Sequence, residues 1–478
     1  MGSGKKYSDK QGSSLNNCSK NEWYNQGDKG CVLTSKTGLK SSKTYSKPLY
    51  SKYRRTILLK HLKQCRDSRA VEIIAWIADK TGDKIVFRDP SGIELFKLRG
   101  IGSDRIKSLP LETLLWLKGI VADDTIIVVD YKVIHKPVEE RIIKYTRIDH
   151  IGLTDYAKNY AWYFRNPKIS STIKLLSYVT RYSRGILYSK GFIELLPPMI
   201  SVASDPGLRG AGKLKTKYYG ETYELTSSVI MFKQASAAVY EKVFFTARNI
   251  REEPPENIWT GRHLSEFTQL DIEWAMSGLE DVMRLAEELL YNVSKTIADK
   301  YMDLIYDIGE RKEPVILKPP FPRIRYDEAL ELAEKLGEPV EWGKELTHTA
   351  ETRIAEYYDS PVWIIGYPAI SRGFYYLPDR DDPRYNLDFN LLLPEGYGEV
   401  IDGGAREYRY PQIVERIRKL GEPLHKYGWF IELVKQGGIP PSSGWGLGLE
   451  RLTRYLAGHK HVGYATIFPK LPGIAGTP

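Results

Sequence analysis

KVFFTARNIREE (Lys242–Glu253) and HLSEFTQLDIEWA (His263–Ala275) decide the reading of this chain. Each alternates apolar and polar residues as a strand does, and the Pro- and Gly-containing loop Pro254–Gly261 joins them. Upstream, KISSTIKLLSYVTRYSRGILYSKGF (Lys168–Phe192) spaces its apolar residues three and four apart, predicting a long helix that runs through Gly191 into the strand FIELLPPMI. Downstream, GLEDVMRLAEELLYNVSKTIADKYM (Gly278–Met302) and YDEALELAEKLG (Tyr326–Gly337) read as two further helices, and GWGLGLERL leads into another after Trp445. Helices interspersed with antiparallel strand pairs make this part α+β. No GxxxxGK[ST] or GxGxxG element opens a helix after a strand, so phosphate binding requires a different architecture.

The chain has 478 residues and a net charge of +10. Ten Lys and two Arg against three acidic residues place most of that excess in residues 1–55. This Ser-, Gly- and Asn-rich stretch reads as a disordered basic tail with affinity for an anionic partner such as tRNA. Cys18, Cys31 and Cys65 form no CxxC pair, so neither a disulfide framework nor a zinc site is expected. No apolar run approaches the ~18 residues that cross a bilayer, and no secretory h-region opens the chain, which predicts a cytoplasmic protein without membrane contact.

Between the tail and the α+β region, VEIIAWIAD, KIVFRDP, GIELFKL, LLWLKGIVA and TIIVVDYKVI read as five short strands, with a helix-like SLPLETLLW segment among them. That pattern over 66–137 predicts a small barrel of the oligonucleotide-binding type, with Phe87, Arg88 and Phe96 as candidates for base contact. Residues 138–168 read as a linker and 169–478 as the larger domain.

The helix-strand ending in Pro197 and Pro198, the Arg-bearing strand-loop-strand, and GLGLER appear in the order and with the content of motifs 1, 2 and 3 of class II aminoacyl-tRNA synthetases. With the barrel, the chain resembles the aspartyl/asparaginyl subgroup over about residues 70–478. The resemblance implies an antiparallel catalytic sheet flanked by helices, a homodimer, ATP and Mg²⁺, and activation of asparagine or aspartate for transfer to tRNA. It implies that Arg251 holds the α-phosphate and the substrate carboxylate beside Glu253, and that Arg451 holds the γ-phosphate. Gly446 and Gly448 would admit the nucleotide, Arg262 and His263 would reach the pyrophosphate, and Phe267 would stack on adenine. These residue types suit attack on the α-phosphate, where charge must be neutralised on both the reacting and the leaving phosphates.

In LLLPEGYGEVIDGGAREY, Glu399 matches the family's magnesium ligand and Arg406 the clamp on the substrate side chain. The family's Asp nine residues before that Glu is here Asn390, which retains a carbonyl oxygen for the metal and loses a charge. Asp388 substitutes only if the strand register slips.

Specificity signals are mixed. From Pro319 onward the chain resembles archaeal-type asparaginyl-tRNA synthetase. Lys233, Gln269 and Asp271 instead match aspartyl-type contacts, Lys233 to the β-carboxylate and the other two to the α-amino group. LTSSVIMFKQ, NIREE and Ser204–Pro206 also resemble an archaeal asparagine-synthetase-related protein, which makes asparagine through aspartyl-adenylate and ammonia. The usual serine-proline-glutamine run is Ser228–Ile230, and the lid's Glu-Gly-Gly is missing from SVASDPGLRGAG. Three readings follow: a tRNA synthetase of this subgroup with asparaginyl as the leading name, an asparagine synthetase, and an impaired tRNA-binding paralogue. Two cations, Lys233 and Arg406, on one substrate side chain favour aspartate, since one such pair at 4 Å is worth about 4 kcal/mol at an effective dielectric near 20.

Overall fold

The computed structural model describes residues 52–64, 70–204 and 210–478. The basic tail up to residue 51, and the part of the lid and of the Ser204–Pro206 stretch in 205–209, lie outside the described residues. Strands β1 (Val71–Thr81), β2 (Lys84–Asp89), β3 (Gly92–Gly100), β4 (Leu114–Ala122) and β5 (Thr125–His135) close into a barrel in the order β1-β2-β3-β5-β4. Alternation fills its interior. Ile85 and Phe87 point inward from β2 and Phe96 from β3, each almost or fully buried. This corrects the expectation that Phe87 and Phe96 touch bases. Arg88 points outward, lies 4.4 Å over the Trp76 ring, and donates to the Tyr145 hydroxyl at 3.1 Å.

The helix expected over SLPLETLLW lies earlier, at Ser103–Ser108. Leu109, before Pro110, is extended at φ −65, ψ 147, because the proline ring disfavours helical backbone in the residue preceding it. Leu114 already belongs to β4. The predicted linker contains two short helices, Leu153–Lys158 and Tyr160–Tyr163. Tyr145, Tyr156, Tyr160 and Tyr163 of this stretch are buried with Ala78 of the barrel and Ile169 of the following helix, so it acts as a packed joint.

Beyond the joint, β6 (Ile193–Leu195) follows the long helix Pro167–Ser189, whose Asn166 cap accepts from the Lys168 backbone N–H. The FIELLPPMI run is split by Pro197 and Pro198. β7 (Ile200–Ser201) leaves for a small sheet with β8 (Lys215–Tyr218) and β9 (Glu221–Leu225). The decisive pair forms β10 (Lys242–Ile250) and β11 (Glu266–Ala275), in continuous antiparallel register from Lys242–Trp274 to Ile250–Glu266. β12 (Arg323–Arg325), β13 (Val362–Ile365), β14 (Asp388–Leu393), β15 (Gly398–Ala405) and β16 (Ser442–Gly448) complete an eight-stranded sheet, order β12-β13-β14-β15-β16-β11-β10-β6. Among the described strands of this sheet, only the edge pairs β12·β13 and β10·β6 are parallel.

Alternation gives this sheet two different faces. Leu270, Ile272, Phe389, Leu391, Ile401, Trp445 and Leu447 face the helices Pro167–Ser189, Leu279–Lys300 and Leu449–Ala457 and make the main core. Gln269, Asp271, Glu273, Gly446 and Gly448 alternate with them and face the other way. The described residues from Tyr53 onward form one compact unit. Among them no helix is long and apolar enough to cross a membrane.

Candidate active site

The polar face of the sheet is the floor of a cavity of about 400 Å³. From β11 and the loop before it, Arg251, Glu253, Arg262, His263, Phe267, Gln269 and Asp271 line it. Glu399 and Arg406 enter from β15 and its end, Gly446, Gly448 and Arg451 from β16 and the helix after it, and Lys233 from helix Ile230–Tyr240. Of the residues matched to ATP, the amino acid or the metal, Asn390 alone does not line the cavity.

Gly446 is required by register. It is paired with Asp271 on one side and Asp402 on the other, and a Cβ there would stand 2.9 Å from Asp271 Oδ1. A side chain would therefore both displace Asp271 and raise the floor.

At one end of the cavity four charged groups are buried together. The Lys233 ammonium donates to Asp271 Oδ1 at 3.1 Å and lies 3.8 Å from Glu273 Oε2. Arg406 Nε donates to Glu273 Oε1 at 3.1 Å, and the Ser442 hydroxyl donates to the same oxygen at 2.7 Å. Burial raises the Asp271 carboxyl above the usual range, and Lys233 only partly opposes this. Glu273 was missed in the sequence, although it continues the alternation of Gln269 and Asp271 along one face of β11. It corrects the picture of two bare cations, because two carboxylates already balance Lys233 and Arg406. Two atoms remain without a partner in this set: Arg406 Nη1, a donor, and Asp271 Oδ2, an acceptor.

The other end is rich in arginine. Arg451 Nη1 donates to Glu399 Oε1 at 3.0 Å, and its Nε donates to the Arg262 carbonyl at 3.2 Å. Arg262 is paired with Glu351, and Arg251 donates to the Ser227 carbonyl while its guanidinium carbon lies 5.1 Å from the Phe267 ring centre. Glu253 accepts from Asn257 Nδ2 at 2.8 Å. His263 is neutral rather than cationic: burial, with Arg451 and Arg262 nearby, pushes its pKa down to about 2. It therefore offers a ring nitrogen, not charge.

Asn390 differs from its expected role. Its Oδ1 accepts from Arg372 Nη2 at 2.9 Å and its Nδ2 donates to Glu399 Oε2 at 3.1 Å. Arg372 has only donors, so the carbonyl must face it. Asp388 does not replace it. The register runs without a slip from Asp388–Gly404 to Leu391–Ile401, and Asp388 is fully buried 3.2 Å from Arg372 Nε. Among the described residues no group of three or more His, Cys, Asp or Glu is placed to hold a metal ion. At the altered serine-proline-glutamine run, Ile230 puts an apolar surface on the cavity wall.

The profile of the class II tRNA synthetases (D, K and N) matches residues 153–472. An asparagine–tRNA ligase of Thermococcus gammatolerans is 32% identical over 424 residues, covering 85% of this chain and 96% of the relative. One of Pyrococcus abyssi is 32% identical over 412 residues, covering 84% and 91%. Among solved structures, asparaginyl-tRNA synthetase from Pyrococcus horikoshii complexed with asparaginyl-adenylate superposes with a TM-score of 0.79 at 28% identity, covering 89% of this chain and 100% of that one. A putative aspartyl-tRNA synthetase of Leishmania major shares the fold, with a TM-score of 0.76 at 20% identity and coverage of 92% and 97%. Motif order, sheet topology and these likenesses agree: the chain belongs to the class II tRNA synthetases of the D, K and N group, and is a ligase.

Proposed function

We propose that this ligase activates asparagine with ATP and transfers it to tRNA. The observation that carries the choice of amino acid is the balance of Lys233 and Arg406 by Asp271 and Glu273. A substrate carboxylate buried there finds no surplus positive charge to offset its desolvation, whereas a neutral amide needs only hydrogen bonds. Arg406 Nη1 is the donor for the amide oxygen, and Asp271 Oδ2 the acceptor for the α-ammonium group. The asparaginyl relatives support the same reading. No observation favours the ammonia-dependent synthetase.

In the first half-reaction the substrate carboxylate attacks the α-phosphorus. A carboxyl-oxygen-to-phosphorus bond forms, the bond to the β-phosphate bridging oxygen breaks, and pyrophosphate leaves. Arg251 neutralises charge on the α-phosphate, Arg451 and Arg262 serve the leaving group, and Phe267 with Gly446 and Gly448 seats the nucleotide. In the second, a terminal ribose hydroxyl of tRNA takes the acyl group and AMP leaves.

Of the two residues matched to the metal, Glu399 is the one on the cavity wall, and the Asn390 carbonyl is taken by Arg372. Mg²⁺ bound with ATP needs one or two carboxylates beside phosphate oxygens, so this donor set fits a nucleotide-borne ion. Bound there, Mg²⁺ would supply neutralisation of the phosphates.

The barrel and the basic tail are assigned to tRNA, the tail through phosphate attraction alone, and the cytoplasm is the expected compartment. Leu196 (87% exposed), Val239 (73%) and Trp429 line an open apolar groove beside the first motif, which we assign to a two-fold homodimer. Light scattering should then return about twice the 54.7 kDa chain mass.

ATP–pyrophosphate exchange with asparagine and with aspartate, followed by transfer to tRNA, tests the central reading. Exchange driven by aspartate and not by asparagine overturns it.

A further inference from the structure

The amide at position 390 faces a carboxylate across the sheet. Asn390 and Asp402 are directly opposed in the β14–β15 register, so their side chains leave the same face. Arg372 spans them, donating from Nη2 to Asn390 Oδ1 at 2.9 Å and from Nη1 to Asp402 Oδ2 at 2.8 Å. The Tyr376 hydroxyl donates to the other Asp402 oxygen. Arg372 also lies 3.2 Å from Glu345 and from Asp388, so its single charge is divided among three carboxylates.

A second feature of the backbone brings Asp402 to the cavity. Glu399 and Asp402 are three residues apart, and strict alternation would send them to opposite faces of β15. The register shifts between Leu391–Ile401 and Leu392–Glu399, leaving Val400 as the extra residue of a bulge. Bulges re-aim side chains, and here the result is that Glu399 and Asp402 both line the cavity while Asn390 is fully buried.

Resting on the reading of ATP as substrate, we propose that Asp402 carries the negative charge the family places at position 390, moved across one strand, and that it acts with Glu399 on the divalent cation bound with ATP. A hydrated Mg²⁺ retains several waters, so a carboxylate that lines the same cavity as Glu399, and is joined to it through Arg372 and Asn390, acts on it through water. Asn390 is then a positioning residue, holding Glu399 through Nδ2 and Arg372 through Oδ1.

The test uses the full chain, Mn²⁺ as the probe and a non-hydrolysable ATP analogue, with free Mn²⁺ read by electron paramagnetic resonance. Asp402→Asn should weaken Mn²⁺ in the ternary complex on the order of tenfold, the range for groups just behind metal ligands. The swap Asn390→Asp with Asp402→Asn restores the charge on the other strand and should return affinity to within about threefold of the starting protein. Unchanged affinity in Asp402→Asn overturns the proposal, and so does a swap variant that stays weak. The swap decides even where the single variant fails to fold. Absence of Mn²⁺ binding with the analogue in the unaltered protein strikes at the ATP reading itself, a separate result.

Discussion

Arg406 and Glu273 form a pair sealed from solvent, with Nε 3.1 Å from Oε1 and side chains 1% and 0% exposed. Burial alone would lower the arginine pKa, but Glu273 more than compensates and holds it above its ordinary value. Breaking a buried pair by removing one partner costs about 3–5 kcal/mol. Glu273→Gln should therefore lower the unfolding free energy by about 3 kcal/mol in urea titrations. It also leaves Lys233 and Arg406 facing only Asp271, so aspartate should gain on asparagine in the exchange assay. An unaltered ratio of the two rates removes Glu273 from specificity.

The arginines at the opposite end give a second expectation. On the proposed reading, Arg451→Ala removes a charge that serves the leaving pyrophosphate, at a cost on the order of 2–4 kcal/mol in the transition state. Arg251→Ala should cost at least as much. Both losses should fall mainly on kcat for exchange, and wild-type rates in both variants would remove the phosphates from this end of the cavity.

Phe87 fills the barrel interior, so Phe87→Ala should destabilise by about 3–5 kcal/mol. Its effect on aminoacylation should be the same for every tRNA at a temperature where the variant is folded. A loss confined to tRNAs of one anticodon would mean that Phe87 leaves the core to meet a base.

The sequence revealed the catalytic sheet more fully than the chemistry set on it. Alternation in β10 and β11, motif order and the glycines of β16 suffice to bring Arg251, Asp271, Arg451 and Glu399 to one cavity. Phe87 and Phe96 were misassigned because both faces of β2 and β3 carry apolar residues: the outer ones, Val86 and Ile93, pack on the joint. Asp402 was illegible for another reason. Its place in the cavity depends on a bulge at Val400, and a one-residue insertion in register leaves no mark in a run of apolar residues and glycines. Glu273 was within reach, two residues beyond Asp271.

Buried histidines set the expected response to acid. Burial lowers the His263 pKa to about 2 and those of His459 and His461 to about 4. Each depressed value means the unfolded chain takes up a proton near pH 6.5 that the folded chain refuses, so stability is full above that pH and falls below it. At pH 5 the loss is about 2 kcal/mol for each histidine. Asp388 works the other way: burial raises it to about 7, so its folded form gains a proton, and stability, as pH falls from 7 toward its unfolded value of about 3.9. Burial also raises Asp271, Asp307 and Glu450, which act as Asp388 does, so urea unfolding at pH 5 and pH 7 reads the balance, in which each histidine contributes about 2 kcal/mol of loss. His459→Asn should remove the His459 share of the acid loss; an unchanged difference between the two pH values would mean that His459 is protonated in the folded state.

Lys233 separates the two readings of the amino-acid pocket. Taken from sequence alone, it meets the substrate's β-carboxylate, and Lys233→Leu should depress aspartate activation far more than asparagine activation. In the structure its ammonium is already committed, 3.1 Å from Asp271 Oδ1 and 3.4 Å from the Trp445 carbonyl. Removing it leaves Asp271 buried with its carboxyl already raised by desolvation, so the group protonates and ceases to hold an α-ammonium. Both amino acids carry that ammonium. The expected outcome is a loss shared by asparagine and aspartate, at least tenfold in kcat/KM, or about 1.4 kcal/mol, with the ratio between them little changed. The Arg406–Glu273 pair remains intact, so the side-chain clamp survives. A loss confined to aspartate would place Lys233 on the substrate side chain after all, and unaffected asparagine activation would show that its tie to Asp271 contributes nothing to binding.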